Sequence, residues 1–530
     1  MESSAASASL ATPSPHDPRV PRNLSTGHFY NKSWGKAWPT VRKSLYLSTP
    51  EGDALNADSE AESDGGDKVL FPRRHEYVCF EDLDLLENTL LLFGLLPPVF
   101  VRLESYNTLV EIMENYFYYN GSNGFVLTGQ SGIGKRTFLL YLLLHRLENH
   151  QPTAFQFHPF YYVLFDHAGW SLCHISQHEK RLQACWVLTH VPPCETLRRY
   201  SPCIVQATSS SPEQWKPWTK RIQHTRTLVM NLPQEIEITA IVKEHGYSSF
   251  AHRVPSMVRK WGPSLAMMLD FARAFKNNQL SVVEEKHEQA AINVANRISR
   301  DVKHLHSSLW PGRYKMTSGS FPLLFVCPAS TTNLDLWGHC IPTTYMQTIL
   351  EVACSGVSNE LTINLFIGLS RRALARSMDD FNLELRTHLR LCTGNDGLRI
   401  FNGLYTRKLQ PSSVLLPGTL DVNRFAPEGV SQPFYWIPGV TEFPGIDSVF
   451  GDNAGNLYAF QVSAKGDHLK PVDGLSKLWK SVGEHVRQRW SWHMVLVTKS
   501  RARANESIES YSDGLEFGCT LHADVWAAVL

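Results

Sequence analysis

The stretch from Gly124 to Leu144 restricts what this chain can fold into more than any other. Gly124-Phe-Val-Leu-Thr reads as a short apolar strand and Gly129-Gln-Ser-Gly-Ile-Gly134-Lys135 as a glycine-rich turn. Arg136-Thr137 then opens a helix through Phe138-Leu-Leu-Tyr-Leu-Leu-Leu144. This order fits G-x-x-x-x-G-K, a loop that cradles phosphates. Gly129, Gly132 and Gly134 let backbone N–H groups turn toward an anion, and the helix start adds a positive dipole. Lys135 is then expected to reach the outer phosphates of ATP or GTP. The following helix carries Leu139, Leu140, Leu142, Leu143, Leu144 and Leu147, too apolar for a surface helix, so strand and helix are both read as buried. The alternative is a glycine-rich turn that holds no nucleotide.

One position departs from the pattern. The Ser or Thr that supports Mg²⁺ directly after the lysine is replaced by Arg136. Thr137 follows one residue late, about 100° further round a helix. The expected nucleotide-contacting set is therefore Gly129, Gly132, Gly134, Lys135, Arg136 and Thr137, with Mg²⁺ weakly supported.

A chain of 530 residues holds two to four domains. Its net charge of +1 gives no global field toward nucleic acid or membrane, so local charge must carry any such argument. The ten cysteines include no C-x-x-C pair and lack zinc-ligand spacing, which suggests buried thiols in a reducing compartment. The longest apolar run, Leu90 to Val101, is too short to span a bilayer and is broken by Pro97 and Pro98. No signal peptide is visible, so the expectation is an intracellular protein without a membrane partner, in the nucleus or cytoplasm.

Residues 1–70 are rich in Ser, Ala, Pro and Asp and read as a disordered leader, with a local element near Trp34–Leu47. Residues 71–306 read as a parallel α/β domain with a helical lid. Its strands are the loop strand, Tyr161–Phe165, Cys185–Leu188, Cys203–Ala207 and Thr227–Met230, with helices from Pro233 to His306. Residues 307–370 are read as a connecting region and 371–530 as a second α/β domain. The latter has helices in Asn359–Leu391 and Leu475–Arg489, and strands at Leu398–Phe401, Phe434–Ile437, Ile446–Phe450, Leu457–Ser463 and His493–Thr498.

The second domain carries its own constellation. Asp447 starts a strand after Pro444-Gly445, and a hairpin later come Gln461, Ser463 and Lys465. Strand side chains alternate, so 461, 463 and 465 share one face if the strand reaches that far. An acid, a second oxygen and a lysine at one sheet end suit Mg²⁺-assisted hydrolysis: Asp447 and Gln461 as metal ligands, Lys465 beside the attacking water. A neutral Gln461 weakens the set. Asp467, His468 and Lys470 follow closely. Glu384 and His388, spaced i, i+4 on a predicted helix, add an auxiliary carboxylate, the alternative being an exposed helical pair. From Lys465 to Arg503, nine Lys or Arg stand against three acids, interleaved with Trp479, Trp490 and Trp492. That run is either a nucleic-acid surface or a solvated face over core tryptophans.

Several phrases together resemble the Crinkler and retrotransposon-hot-spot family, in particular fungal Crinkler-like effectors. They are Gly129–Lys135 with Phe138–Leu147, Trp186-Val-Leu-Thr-His190, Ile204–Pro212 with Trp215–Trp218, Leu383-Glu384 with His388, and Phe460–Ser463 with His468. The resemblance implies an α/β protein with a P-loop NTPase core and helical subdomain, then a restriction-endonuclease-like domain. It implies an effector or toxin acting inside cells, binding nucleotide with Mg²⁺ and cleaving DNA through Asp447, Lys465, Gln461 and Glu384. It also implies an aspartate where this chain has His190, so with Arg136 both metal-supporting positions are altered and slow or absent hydrolysis is expected. Asp166 ends a different strand. Ser209–Ser211 are candidate polar sensors, or a helix N-cap. Two readings from other classes stay open: a non-catalytic scaffold with a dead phosphate loop, and a signalling ATPase gated by nucleotide.

Overall fold

The computed structural model describes residues 26–47, 73–83, 99–177, 179–209, 212–305, 322–369, 378–393, 396–403, 405–418, 433–439, 445–464, 471–482, 490–511, 514–517 and 521–530. It is a mixed α/β protein built mainly around two sheets. No helix among the described residues is long and apolar enough to cross a membrane.

The strand Gly124–Thr128 is buried throughout and lies near one end of a seven-stranded sheet. In spatial order the strands are Gly169–His174, Tyr161–Asp166, Thr153–His158, Trp186–Thr189, Cys203–Ala207, Gly124–Thr128 and Thr225–Val229. The last five run parallel. Parallel strands need crossovers and are covered on both faces, which explains their unbroken apolar runs. The helix Lys135–Glu148 provides one cover, with nine buried residues including Phe138 through Leu144. A second core, with Val126, Val187, Ile204 and Trp218, fills the opposite face.

Two sequence expectations change here. Tyr161–Asp166 is not a parallel strand: it pairs antiparallel with Thr153–His158 and with Gly169–His174 as a sheet extension. The segment near Trp34–Leu47 is not an isolated element of a leader. A helix, Thr26–Ser33, buries Phe29 against Trp38 and Phe165, and Thr40–Leu47 pairs along its whole length with Arg73–Phe80.

Residues 235–305 form helices Glu235–Glu244, Ser248–Ala251, Val254–Trp261, Leu265–Lys276 and Leu280–Leu305. The region read as a connector joins their core. An antiparallel hairpin, Phe325–Pro328 with Trp337–Cys340, and the helix Thr344–Ala353 bury Phe325, Cys340, Met346 and Leu350 against Trp261, Phe271 and Ile298.

The expected helical stretch, one helix or two, contains Asn359–Gly368 and Met378–Cys392 among the described residues. The second large sheet follows. Its centre runs Phe434–Pro438, Ser448–Gly451, Asn456–Val462, Ser491–Thr498 and Leu521–Val529. The first two junctions are antiparallel and the last two parallel. The helix Pro471–Ser481 covers one face with Leu475 and Leu478, and Met378–Cys392 covers the other with Leu383 and Leu391.

Phe125 is fully buried in the strand that leads into the glycine-rich loop. Phe125→Ala is expected to cost about 3–5 kcal/mol through lost burial and a residual cavity, read as a lowered urea midpoint of the N-terminal module.

Candidate functional site

The first site is the turn after Gly124–Thr128. Gly132 and Gly134 sit at φ 71° and 97°, in the left-handed region. A Cβ at Gly132 would lie 2.4 Å from the Ala266 Cβ, and one at Gly134 would lie 2.8 Å from the Tyr106 Oη. Both glycines are therefore required by conformation and by space. Lys135 begins the helix, and its Nζ donates to the carbonyls of Gly129 at 3.1 Å and Gln130 at 2.5 Å. The ammonium thus lies folded over the loop. Burial, then the neighbouring Arg136, lowers its pKa to about 8.

Two further contacts fix the loop from outside. The Gln130 Oε1 accepts a bond from the Val326 N–H at 3.1 Å. The Ala266 N–H donates to the Gly132 carbonyl at 3.2 Å, seating the start of the helix Leu265–Lys276 on the turn. Neither partner was legible in the sequence, since Val326 is 196 residues away.

The expected contacting residues separate. Gly129, Gly132, Gly134 and Lys135 form the turn. Arg136 is exposed. Thr137 hydrogen-bonds Tyr106, so its hydroxyl is engaged at the helix flank and does not replace the missing Ser or Thr. His190 ends the strand Trp186–Thr189, separated from the loop strand by Cys203–Ala207. Burial, then Arg136, lowers its pKa to about 4, so it is neutral at pH 7. Thr208 follows the intervening strand. Its N–H donates to the Leu127 carbonyl at 2.9 Å and its hydroxyl to the Gln214 Oε1 at 2.8 Å. Ser209 reaches the same oxygen at 3.1 Å; Ser210 and Ser211 lie outside the described residues. Asp166 pairs with Arg181 at 3.2 Å and caps the Ala168 N–H in a turn of the antiparallel extension.

A cavity of about 570 Å³ opens beyond the neighbouring strand Thr225–Val229, lined by Glu104, Asn231, Gln234, Glu237, Cys327 and Thr331 among others. The Met230 N–H bonds to the Thr128 carbonyl, so this cavity adjoins the end of the loop strand. It has two carboxylates and no Lys or Arg in its lining. Such walls favour neutral or cationic groups over phosphate.

The second site lies in the C-terminal sheet. Ser448 pairs with Phe460, so Asp447 comes opposite Gln461. The Asp447 N–H donates to the Phe460 carbonyl at 2.7 Å, and the Asp447 Oδ2 accepts from the Val462 N–H at 2.7 Å. Asp447 and Gln461 are each 5% exposed. The strand ends at Val462, and Lys465, Asp467, His468 and Lys470 lie outside the described residues. Beyond the ladder the chain is still held. The Ser463 N–H reaches the Val497 carbonyl at 3.0 Å, the Ala464 N–H the Asp380 Oδ1 at 2.7 Å, and Arg503 donates to the Ala464 carbonyl at 2.8 Å.

Asp447 also acts electrostatically on Tyr435, the hydrogen-bond partner of His388. Alternation puts Gln461 on the side of Leu457 and Ala459, which pack on Leu475 and Leu478. The helix that carries Glu384 and His388 covers the other side. His388 Nε2 is 3.4 Å from the Glu384 Oε1, its Nδ1 is 2.6 Å from the Tyr435 Oη, and Tyr435 donates to the Ser448 Oγ at 2.7 Å. The Glu–His pair is therefore buried, not exposed, and forms a polar chain into the sheet. Among the described residues no three His, Cys, Asp or Glu side chains converge as a metal-binding group. Asp380, Glu384 and His388 recur every fourth residue, a stripe that would have disclosed Asp380 in the sequence.

Two of the three tryptophans of the basic run belong to the core, and Trp479 is half-buried against it. Trp490 and Trp492 are 8% and 4% exposed and pack with Phe434 and Met494, so they offer no stacking platform for bases. No protein-family model and no curated protein matches the chain.

Proposed function

We propose that this chain is a Crinkler-like two-module protein that acts inside cells, in nucleus or cytoplasm. Its N-terminal module holds the phosphates of ATP or GTP with little turnover, and its C-terminal module acts on DNA as a restriction-endonuclease-like nuclease. The observation that carries the first half is the position of Lys135: an ammonium folded over a left-handed glycine turn, at the end of a buried parallel strand and the start of a 14-residue helix. Backbone N–H groups, helix dipole and lysine there complement a polyphosphate.

Mg²⁺ does not fit this loop. Arg136 is a cation, His190 is neutral, and Thr137 is committed to Tyr106. Phosphoryl transfer depends on metal charge at the β- and γ-oxygens, so the module is read as a binder, with Arg136 supplying positive charge.

The C-terminal reading rests on Asp447 opposite Gln461 at one strand end. Mg²⁺ is held by one or two carboxylates with waters and substrate phosphate, and Asp447 with the Gln461 amide oxygen meets the lower limit. A divalent ion bound there would supply a Lewis acid and a more acidic water. Asp447 is oriented by the Val462 N–H, and Asp380 and Arg503 hold the peptide of Ala464, next to Lys465. Lys465 is proposed to orient the attacking water. Glu384 acts through His388, Tyr435 and Ser448 as a positioning residue. A neutral Gln461 in place of a second acid favours one other reading, a DNA- or protein-binding scaffold that has kept the fold without the chemistry.

Three measurements test these assignments. Lys135→Ala removes a charged hydrogen-bond donor worth about 1.5–3 kcal/mol, so labelled ATP should bind about 10- to 150-fold more weakly. Only protonated Lys135 attracts phosphate, and its pKa is about 8. Wild-type affinity should therefore fall as pH rises through about 8, while the Lys135→Ala protein stays flat. Equal affinity in both proteins ends the phosphate-loop reading.

The paired change Arg136→Thr, His190→Asp returns both oxygens that support Mg²⁺. ATPase turnover should rise above wild type; a wild type already as fast refutes the account of impaired hydrolysis.

Asp447→Ala should abolish Mg²⁺- or Mn²⁺-dependent DNA cleavage while DNA binding persists, since a negative charge has gone. Gln461→Glu should raise cleavage. No cleavage by wild type or Gln461→Glu with either ion establishes the scaffold reading.

A further inference from the structure

We infer that Cys327 and Cys340 form a redox-active dithiol whose substrate is a low-molecular-weight disulfide. The two residues lie on facing strands of the hairpin Phe325–Pro328 and Trp337–Cys340. Cys327 stands opposite Gly338, and Cys340 opposite Phe325. Paired residues project to the same side of a ladder, and positions two apart on one strand share that side. The two thiols therefore point the same way on a diagonal. Gly338 leaves the place directly across from Cys327 without a side chain, and the thiol leans to Cys340. Their sulfurs are 2.8 Å apart. A disulfide bond is about 2.05 Å long, so bond formation needs less than about 1 Å of sulfur movement within a hairpin already paired.

Access is unequal. Cys327, 3% exposed, lines the cavity of about 570 Å³ beside the loop strand, whereas Cys340 is 0% exposed and does not line it. Cys327 is thus the attacking thiol and Cys340 the resolving one. The Cys327 thiolate attacks one sulfur of an external disulfide, RSSR, forms a Cys327–S–S–R bond and releases RS⁻. The Cys340 thiolate then attacks the Cys327 sulfur, closes the Cys327–Cys340 bond and expels the second RS⁻. The two protons lost by the cysteines end on the two RSH products. The protein dithiol is oxidised and one external disulfide is reduced.

The hairpin also touches the glycine-rich loop. Val326, one residue before Cys327, donates its N–H to Gln130. The bond would tie both hairpin strands together beside the loop, whether or not that loop binds nucleotide.

The test uses the reduced full-length chain in native buffer with oxidised glutathione, followed by alkylation and peptide mapping. Free thiols should fall from ten to eight, ten less this pair, with a linked Cys327–Cys340 peptide recovered. Cys340→Ser should trap glutathione on Cys327, and Cys327→Ser should leave Cys340 unmodified. The proposal is overturned if wild type keeps all ten thiols, if the link forms only in urea, or if glutathione is taken up at Cys340. The wild-type result decides alone should a variant fail to fold.

Discussion

Parallel pairing of Gly124–Thr128 on both edges is the constraint from which the N-terminal site follows. With Cys203–Ala207 on one side and Thr225–Val229 on the other, every backbone group of the strand is committed to the sheet. The chain must leave at the carboxyl end, turn sharply and return as a helix over the same sheet. Only left-handed glycines make that turn in the space left by Ala266 and Tyr106. The lysine is then fixed at the helix start, and its lowered pKa follows from the same close packing.

The C-terminal sheet obeys a different rule. Its strands carry apolar side chains on both faces, so each polar residue must be satisfied where alternation puts it. Tyr435 and Ser448 fall under the helix Met378–Cys392 and join His388 and Glu384. With Tyr435 donating to Ser448, the His388 Nδ1 must carry the hydrogen toward Tyr435. Its Nε2 then faces the Glu384 carboxyl. A buried chain of this kind makes the sequence tolerant of few exchanges there, because removing one member strands the next.

What the sequence disclosed was the local grammar. The glycine turn and the leucine-dense helix were legible because conformation and burial act within twenty residues. Thr153–His158 was not, since Thr153 and Gln156 interrupt its apolar run although both are fully buried in the sheet. Tyr161–Asp166 had the composition of a parallel strand and became an antiparallel extension because a two-residue turn, His167-Ala168, follows it. The helix Thr26–Ser33 hides in a polar leader, its warrant being a single Phe29 that finds Phe165 far along the chain. The basic run with tryptophans was ambiguous for a like reason: which side of a strand faces the core is decided by partners elsewhere. For Glu384 the pairing with His388 was legible in the i, i+4 spacing, whereas its burial was not.

The hydrogen bond from Val326 to Gln130 has a consequence for how the protein is made. The turn that positions Lys135 leaves the ribosome before one of its outer supports, which arrives 196 residues later. At synthesis rates of about 5–20 residues per second, that gap lasts on the order of ten to forty seconds. During it the loop strand also waits for Thr225–Val229 to close its outer edge. An unpaired, apolar parallel strand is an aggregation hazard. Until Thr225–Val229 arrives the loop strand keeps an open edge, and both supports are in place before the second sheet is made.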